Sequence, residues 1–234
     1  MFDHTAFDEH ELVHFGTDVA TGLRCIIAVH STRLGPGAGG CRMWPFASSA
    51  EAITDVLRLS RGMSYKNAMA DLPLGGGKAV IIGDPARHKS PALFEAFGRI
   101  VDGLAGRYIT AEDVGVNEAD MSAIATQTHY VAGLPRAEDA GAQQRAGGNP
   151  SPKTARGVLA GIRAACEHRN GSADLKGCRV AVQGLGGVGG NLCALLAAAG
   201  AQLVVADIST TRCEQVAAET GATINSVDKI LSAE

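Results

Sequence analysis

Apolar positions along the 234-residue chain change their spacing from segment to segment, and each change marks an element. The run "LRCIIAVH", residues 23–30, is almost unbroken and reads as a buried strand. "GPGAGG", residues 35–40, reads as a glycine loop after it. Over residues 48–61 the spacing becomes helical. Ile53, Val56, Leu57 and Ser60 share one face, and Ser48 or Ser49 caps the start. "LPLGGGKAVIIG", residues 72–83, reads as a glycine turn that enters a buried strand at Lys78. Residues 91–105 are helical, with Leu93, Phe94, Phe97 and Ile100 or Val101 inward. "RYITAEDVG" is a strand running into a loop, and Asn117 caps a helix that carries Met121, Ile124 and Ala125.

The polar stretch 134–152, rich in glycine and proline, is the best domain boundary in the chain. A helix follows, over about residues 153–169. "CRVAVQGLGGVGG" then gives a strand, a glycine turn and a helix; "AQLVVADI" is the next strand and residues 210–219 the next helix. Strands alternating with helices predict an α/β architecture with right-handed crossovers. The expected layout is an N-terminal α/β domain over 1–133, a hinge loop over 134–152, and a second α/β domain over 153–234.

"GLGGVG", Gly184 to Gly189, fits the G-x-G-x-x-G pattern. Alone it is weak. Here an apolar strand precedes it, an Ala/Leu-rich helix follows, and the next strand ends in Asp207, 23 positions after Gly184 and near the ~20 expected of a ribose-binding acid. Gly184 allows the tight turn, Gly186 lets backbone reach a pyrophosphate, and Gly189 lets the helix pack close. Gly187 and Val188 open the helix whose N–H groups meet the phosphate charge. This is a Rossmann-type doubly wound domain, and Asp207 favours NAD over NADP. The alternative is a purely structural glycine turn.

Composition narrows the picture. Hydrophobic residues make up 46% and charged residues 19%, enough to bury a core. A net charge of −3 gives no basic face, so nucleic acid is not an expected partner. No apolar run reaches the ~20 residues of a membrane span. The N-terminal segment is acidic and mixed, unlike a signal peptide. Six cysteines without metal spacing read as reduced thiols of a cytoplasmic protein. The histidines lack ligand spacing, so no metal site is expected. Trp44 reads as a core or interface anchor.

Lys78 remains. A phosphate loop fails on spacing: Leu72 stands where a glycine is needed and Ala79 where Ser or Thr is needed. A nicotinamide cofactor instead asks the first domain for a substrate clamp and an acid/base group. Lys66, Lys78 and Asp113 are the candidates. Burial beside a second ammonium, here Lys66, would lower a lysine toward the range of a working base. Periodicity alone leaves Glu112 open as the inward acid in place of Asp113.

With "LGPGAGGCRMW", "GMSYKN", "LPLGGGKAVIIGDP", "GRYITAEDVG", "GGNPSP" and "VAVQGLGGVGGNL" in this order, the chain resembles the leucine/valine/phenylalanine dehydrogenase family, relatives of glutamate dehydrogenase. The wording of "YKN" and "AEDVG" is nearer the leucine/valine branch. The resemblance implies oxidative deamination of an L-amino acid by NAD, in a cytoplasmic homo-oligomer. It implies that Lys66, helped by the Gly39 and Gly40 backbone, binds the α-carboxylate. Lys78 would handle water and proton steps at the α-carbon, and Asp113 would exchange a proton with the amine. Ala38, Met63 and Ala111 would line the side-chain pocket, and Thr154 would meet the nicotinamide amide. Ala38 stands where glutamate enzymes resemble one another in carrying lysine and where leucine enzymes usually carry leucine. An apolar substrate is therefore expected.

Members of the family are longer. The chain is expected to be truncated, ending after two strands of the dinucleotide-binding half, with the rest of that sheet missing. Two alternatives to the dehydrogenase stand beside it. One is an idle remnant kept for assembly or binding. The other is a Schiff-base enzyme built on Lys78.

Overall fold

The computed structural model describes residues 1–134 and 150–232. It forms two compact units, Met1–Gly148 and Asn149–Glu234. The expected hinge loop, 134–152, lies mostly outside the described residues.

The first unit is built on a five-stranded sheet. Its strands are β1 (Leu12–Asp18), β2 (Leu23–Ser31), β3 (Gly37–Trp44), β4 (Gly75–Ile82) and β5 (Tyr108–Glu112). Their order is β1-β2-β4-β3-β5. β1 and β2 pair antiparallel, as do β2 and β4, while β4, β3 and β5 run parallel. Parallel neighbours need crossovers, and the helices supply them. α1 (Ser49–Met69) links β3 to β4, and α2 (Pro91–Asp102) links β4 to β5. α3 (Glu118–Ala125) follows β5.

Period-2 alternation sorts the strand residues onto two faces. Cys25, Ile27, Cys41, Met43, Ala79 and Ile81 pack on one side with Phe94 and Phe97 of α2 and with Met121 and Ile124 of α3. Ile26, Ala28 and Val80 pack on the other with Ala52, Val56 and Leu57 of α1. β4 is covered on both faces, which is why seven of its eight residues are buried.

Three expectations do not hold. "GPGAGG" is not a loop: from Gly37 onward it is strand β3. The three glycines before Lys78 are not a turn either, since they are the first three residues of β4. The helix expected over 48–61 runs on to Met69, so Met63 and Lys66 sit on it. Ser48 is its cap, accepting from the Glu51 N–H. β1 was not foreseen. Trp44 ends β3 46% exposed and so is not in the core.

The second unit has a parallel sheet of order β6-β7-β8: β6 (Arg179–Gln183), β7 (Gln202–Ala206) and the two-residue β8 (Thr223–Ile224). The sequence pattern showed two of these strands; β8 is too short to carry an alternation. Helices α4 (Ser151–Asn170), α5 (Gly187–Ala198) and α6 (Thr210–Thr220) pack with them around Leu175, Val182, Leu192, Leu196, Val205 and Val216. α4 starts two residues earlier than expected, with Pro152 in its first turn, where proline's missing N–H costs nothing. The described residues include no helix long and apolar enough to cross a membrane. Nor do they include a His/Cys/Asp/Glu group that could hold a metal. All six cysteines are free.

The N-terminal segment is tied to α1 through a histidine. His10 is only 8% exposed. Its Nε2 lies 3.0 Å from both the Leu57 carbonyl and Ser60 Oγ, and its Nδ1 accepts the Asp8 N–H at 3.1 Å. This pattern fits the neutral ring with the proton on Nε2. Burial lowers the pKa; the Leu57 carbonyl works against that, and His30 adds to the lowering. The unfolded chain therefore takes up this proton more readily than the folded one. Stability is complete above the ordinary histidine value of about 6.5 and declines as pH falls below it. Denaturant midpoints measured from pH 7.5 to pH 5 should fall. His10→Gln, which keeps a donor toward Leu57 and cannot titrate, should flatten that fall. An equal slope in the variant would place its origin elsewhere.

Candidate active site

The candidate site is built where side chains have been removed. A Cβ on Gly39 would stand 1.9 Å from the Gly77 carbonyl oxygen, and on Gly76 it would stand 2.1 Å from Ser64 Oγ. On Gly77 it would meet the Tyr108 ring at 2.7 Å. β3, β4 and α1 thus approach more closely than any side chain permits. Polar groups fix the seam. Asn67 Nδ2 donates to the Gly75 carbonyl at 2.7 Å, and the buried Tyr108 hydroxyl donates to the Gly39 carbonyl at 2.8 Å.

On the α1 face of this sheet lies Lys78, 6% exposed. The register of β3 on β4 sets it level with Gly40. Its Nζ donates to Asp113 Oδ2 at 2.7 Å. The ion pair distinguishes Asp113 from Glu112, the choice that periodicity left open. Gly40 gives Asp113 room, since a Cβ there would be 2.8 Å from the Asp113 Cβ. Burial pushes the Asp113 carboxyl up, but the Lys78 charge and hydrogen bond, the Val114 N–H and Arg42 together hold it below the usual range. Burial raises Glu112 instead, with a smaller push from Glu118.

The other candidates of this unit lie on β3, β5 and α1. Ala38 and Ala111 share the Lys78 face on β3 and β5, half-buried, with Ala38 opposite Ile109 and Ala111 opposite Gly40. Met63, on α1, comes within 3.1 Å of the place a Gly39 Cβ would take. Lys66 is exposed on α1 and makes no ion pair among the described residues. Lys78 is paired with an acid, Asp113, and a carboxylate at that distance works against the lowering that a second ammonium such as Lys66 would give.

Arg42 was missed. Its Nε donates to Asp113 Oδ2 at 3.2 Å and its Nη1 to Asp55 Oδ2 at 2.9 Å. Reading "GPGAGGCRMW" as a strand would have revealed it, because Arg42 lies two positions after Gly40 on the same face.

In the second unit the glycine turn has three distinct demands. Gly184 has φ +89°, a conformation that favours glycine. A Cβ on Gly189 would lie 1.9 Å from the Gly184 carbonyl oxygen, whereas one on Gly186 would meet nothing within 4 Å. Gly186 caps α5 without a side chain, leaving the first N–H groups of the helix, from Gly187, Val188 and Gly189, bare of a side-chain cap. Asp207 follows β7. Its Oδ2 accepts the Leu185 N–H at 2.6 Å and its Oδ1 the Ser209 N–H at 2.8 Å, and these two bonds lower its pKa. Thr154, in the first turn of α4, donates its hydroxyl to the Pro150 carbonyl at 3.0 Å. The open space over Gly186, the uncapped helix start and the acid at the strand end are the features a dinucleotide's pyrophosphate and ribose require.

Two family models match the chain: "Glu/Leu/Phe/Val dehydrogenase, dimerisation domain" over residues 10–130, and "Glutamate/Leucine/Phenylalanine/Valine dehydrogenase" over residues 149–233. The leucine dehydrogenase of Geobacillus stearothermophilus is 49% identical over 222 residues, 95% of this chain and 59% of that protein. The leucine dehydrogenase of Thermoactinomyces intermedius is 47% identical over all of this chain and 62% of its own length. Among solved structures, L-tryptophan dehydrogenase from Nostoc punctiforme superposes with a TM-score of 0.67 at 42% identity, covering 96% of this chain and 62% of that one. The chain therefore spans about three fifths of the length of the relatives it matches.

The glycine geometry separates two substitutions. Gly189→Ala drives a methyl into backbone and should destabilise the second unit by ~1–3 kcal/mol or more. Gly186→Ala meets open space and should cost no more than about 1 kcal/mol, the difference between glycine and alanine at a cap. Chemical denaturation of both variants checks the order; equal losses would contradict the geometry.

Proposed function

Since the chain belongs to the Glu/Leu/Phe/Val dehydrogenase family, we propose that it takes part in the NAD-dependent oxidative deamination of an apolar L-amino acid to a 2-oxo acid and ammonia. The observation that carries this reading is the Lys78–Asp113 pair, set level with the Gly39–Gly40 backbone.

The residues divide the work by their placement. Lys66, exposed and without an ion pair among the described residues, binds the substrate α-carboxylate, and the Gly39–Gly40 backbone completes the clamp. Ala38, Met63 and Ala111 receive the side chain, and none of them offers a charge to a distal carboxylate. Asp113, held ionised, takes a proton from the substrate ammonium, because only the free amine can release a hydride from its carbon. Lys78, beside it, activates the water that adds to the resulting imine carbon and returns a proton to the departing nitrogen. The overall balance is amino acid, NAD⁺ and water giving 2-oxo acid, ammonium, NADH and a proton. NAD, when bound, supplies the hydride acceptor. Gly184, Gly186 and Gly189 shape the turn that takes its pyrophosphate. The N–H groups of Gly187 and Val188 face the phosphate charge, and Asp207 takes the ribose hydroxyls. Thr154 is assigned to the nicotinamide amide. A homo-oligomer is part of this proposal, supported by the dimerisation domain that matches residues 10–130.

The test is NADH formation, followed by absorbance at alkaline pH, with leucine, valine, isoleucine, phenylalanine, tryptophan and glutamate. Turnover on apolar amino acids with none on glutamate is expected. Lys78→Ala should abolish turnover while an amino acid still binds, and Lys66→Ala should chiefly weaken that binding. Near-normal kcat in Lys78→Ala would overturn these roles. Gly186→Ala should weaken NAD binding, measured by calorimetry without turnover. Unchanged affinity would remove the glycine turn from the cofactor site.

A further inference from the structure

The Asp113 carboxylate carries two cations on a single oxygen. Lys78 Nζ and Arg42 Nε both donate to Oδ2, at 2.7 Å and 3.2 Å. Arg42 spends a different N–H group, on Nη1, on Asp55 Oδ2 at 2.9 Å. The guanidinium thus ties the end of β5 to α1 through two carboxylates. Its planar fork suits this use, and it does not deprotonate in proteins.

A lysine that works as a base must pass through its neutral form. At that moment a carboxylate paired with the lysine alone loses its counter-charge in a half-buried place. It would then draw the proton to itself. Asp113 does not face that state, because the second cation remains. The charged groups that face it are Lys78 from β4 and Arg42 from β3. Asp55 of α1 acts through Arg42, and the Cys41 thiol nearby is pushed well up by burial and so stays neutral.

We propose that Arg42, anchored by Asp55, is the positioning residue that keeps Asp113 ionised and aimed while Lys78 exchanges its proton. The assignment rests on the dehydrogenase reading above for the proton exchange, and on the two Arg42 contacts for the anchor. The guanidinium also borders a cavity of about 460 Å³, lined by Trp44, Asp55, Arg58 and Val114 among others. Truncating Arg42 therefore leaves space that a free guanidinium ion can enter from solvent.

The experiment is a carbon-13 NMR titration of side-chain carboxyls in the full chain, with Asp113 assigned by the loss of its signal in Asp113→Asn. Arg42→Ala should raise the Asp113 midpoint by about one pH unit or more. Guanidinium far below unfolding concentrations should restore it, and sodium at equal ionic strength should not. Asp55→Asn should give a smaller rise in the same direction, and Arg42→Lys, with one nitrogen for two carboxylates, an intermediate one. Should Arg42→Ala fail to fold, Asp55→Asn and Arg42→Lys carry the test. Unmoved midpoints in the Arg42 variants overturn the proposal, as does equal rescue by sodium. A rise with Arg42→Ala and none with Asp55→Asn overturns the anchor. Where turnover is present, the acid limb of kcat should move up by the same shift with the amino-acid KM little changed. The titration needs no turnover, so the two readings fail separately. A shifted midpoint without any amino-acid oxidation rejects the function, and amino-acid oxidation with an unmoved midpoint rejects Arg42.

Discussion

The first unit depends on a backbone contact that no side chain could share. Gly39 and Gly77 sit so close that a methyl on the first would overlap the carbonyl of the second, and Gly76 stands equally close to Ser64 of α1. Interiors of this density do not yield to an added atom. The glycines cost folding entropy, since each has more freedom to lose than any other residue. What they provide is approach. α1 can lie directly on β4, and backbone rather than side chains forms the floor beside Lys78. Three separate contacts account for the three glycines before that lysine: Gly75 lies against the Ser31 carbonyl, Gly76 against Ser64 of α1, and Gly77 against the Tyr108 ring.

That same feature hid the strand from the sequence. Alternation is legible only where side chains differ in polarity, and "GPGAGG" has almost none to compare. Its strand character comes from partners far along the chain, at β4 and β5. The C-terminal half of α1 was masked for a related reason. "GMSYKNAM" carries no apolar stripe, because Ser64 and Asn67 meet glycine backbone and hydrogen-bond acceptors where other helices bury leucine. Elements with ordinary patterning, such as β2, α2 and the capped α3, were legible within a few residues. Asn117 and Asp120 form a full capping box at the start of α3, a local signal that needs no tertiary partner.

The site was legible in unequal measure. The glycine fingerprint could be read residue by residue, since a positive φ at Gly184, open space at Gly186 and a close contact at Gly189 are three separate physical demands. Lys78 stood out from the glycines before it, the choice of Asp113 over Glu112 came from resemblance to a family, and their spacing in sequence says nothing of a 2.7 Å contact. Arg42 lay inside "LGPGAGGCRMW" without being given a role, and Asp55 lay outside every quoted motif. Their link joins a strand to a helix only after β3 is recognised as a strand. One misread segment therefore removed both a strand and a residue of the site.

Lys78 and Arg42 are cations, Asp113 and Asp55 anions, and the four balance in one connected chain. Taking Lys78 from water is costly unless its charge is matched at hydrogen-bond distance, and Asp113 matches it. A balanced cluster exerts little net pull on an approaching zwitterion. Lys66 stands outside the balance, exposed and without an ion pair among the described residues. Under the proposed dehydrogenase reading, that uncompensated cation would take the carboxylate end of an amino acid. Its ammonium would then be left to Asp113, the acid beside Lys78. The proposed polarity of binding would follow from which charges the fold has already neutralised.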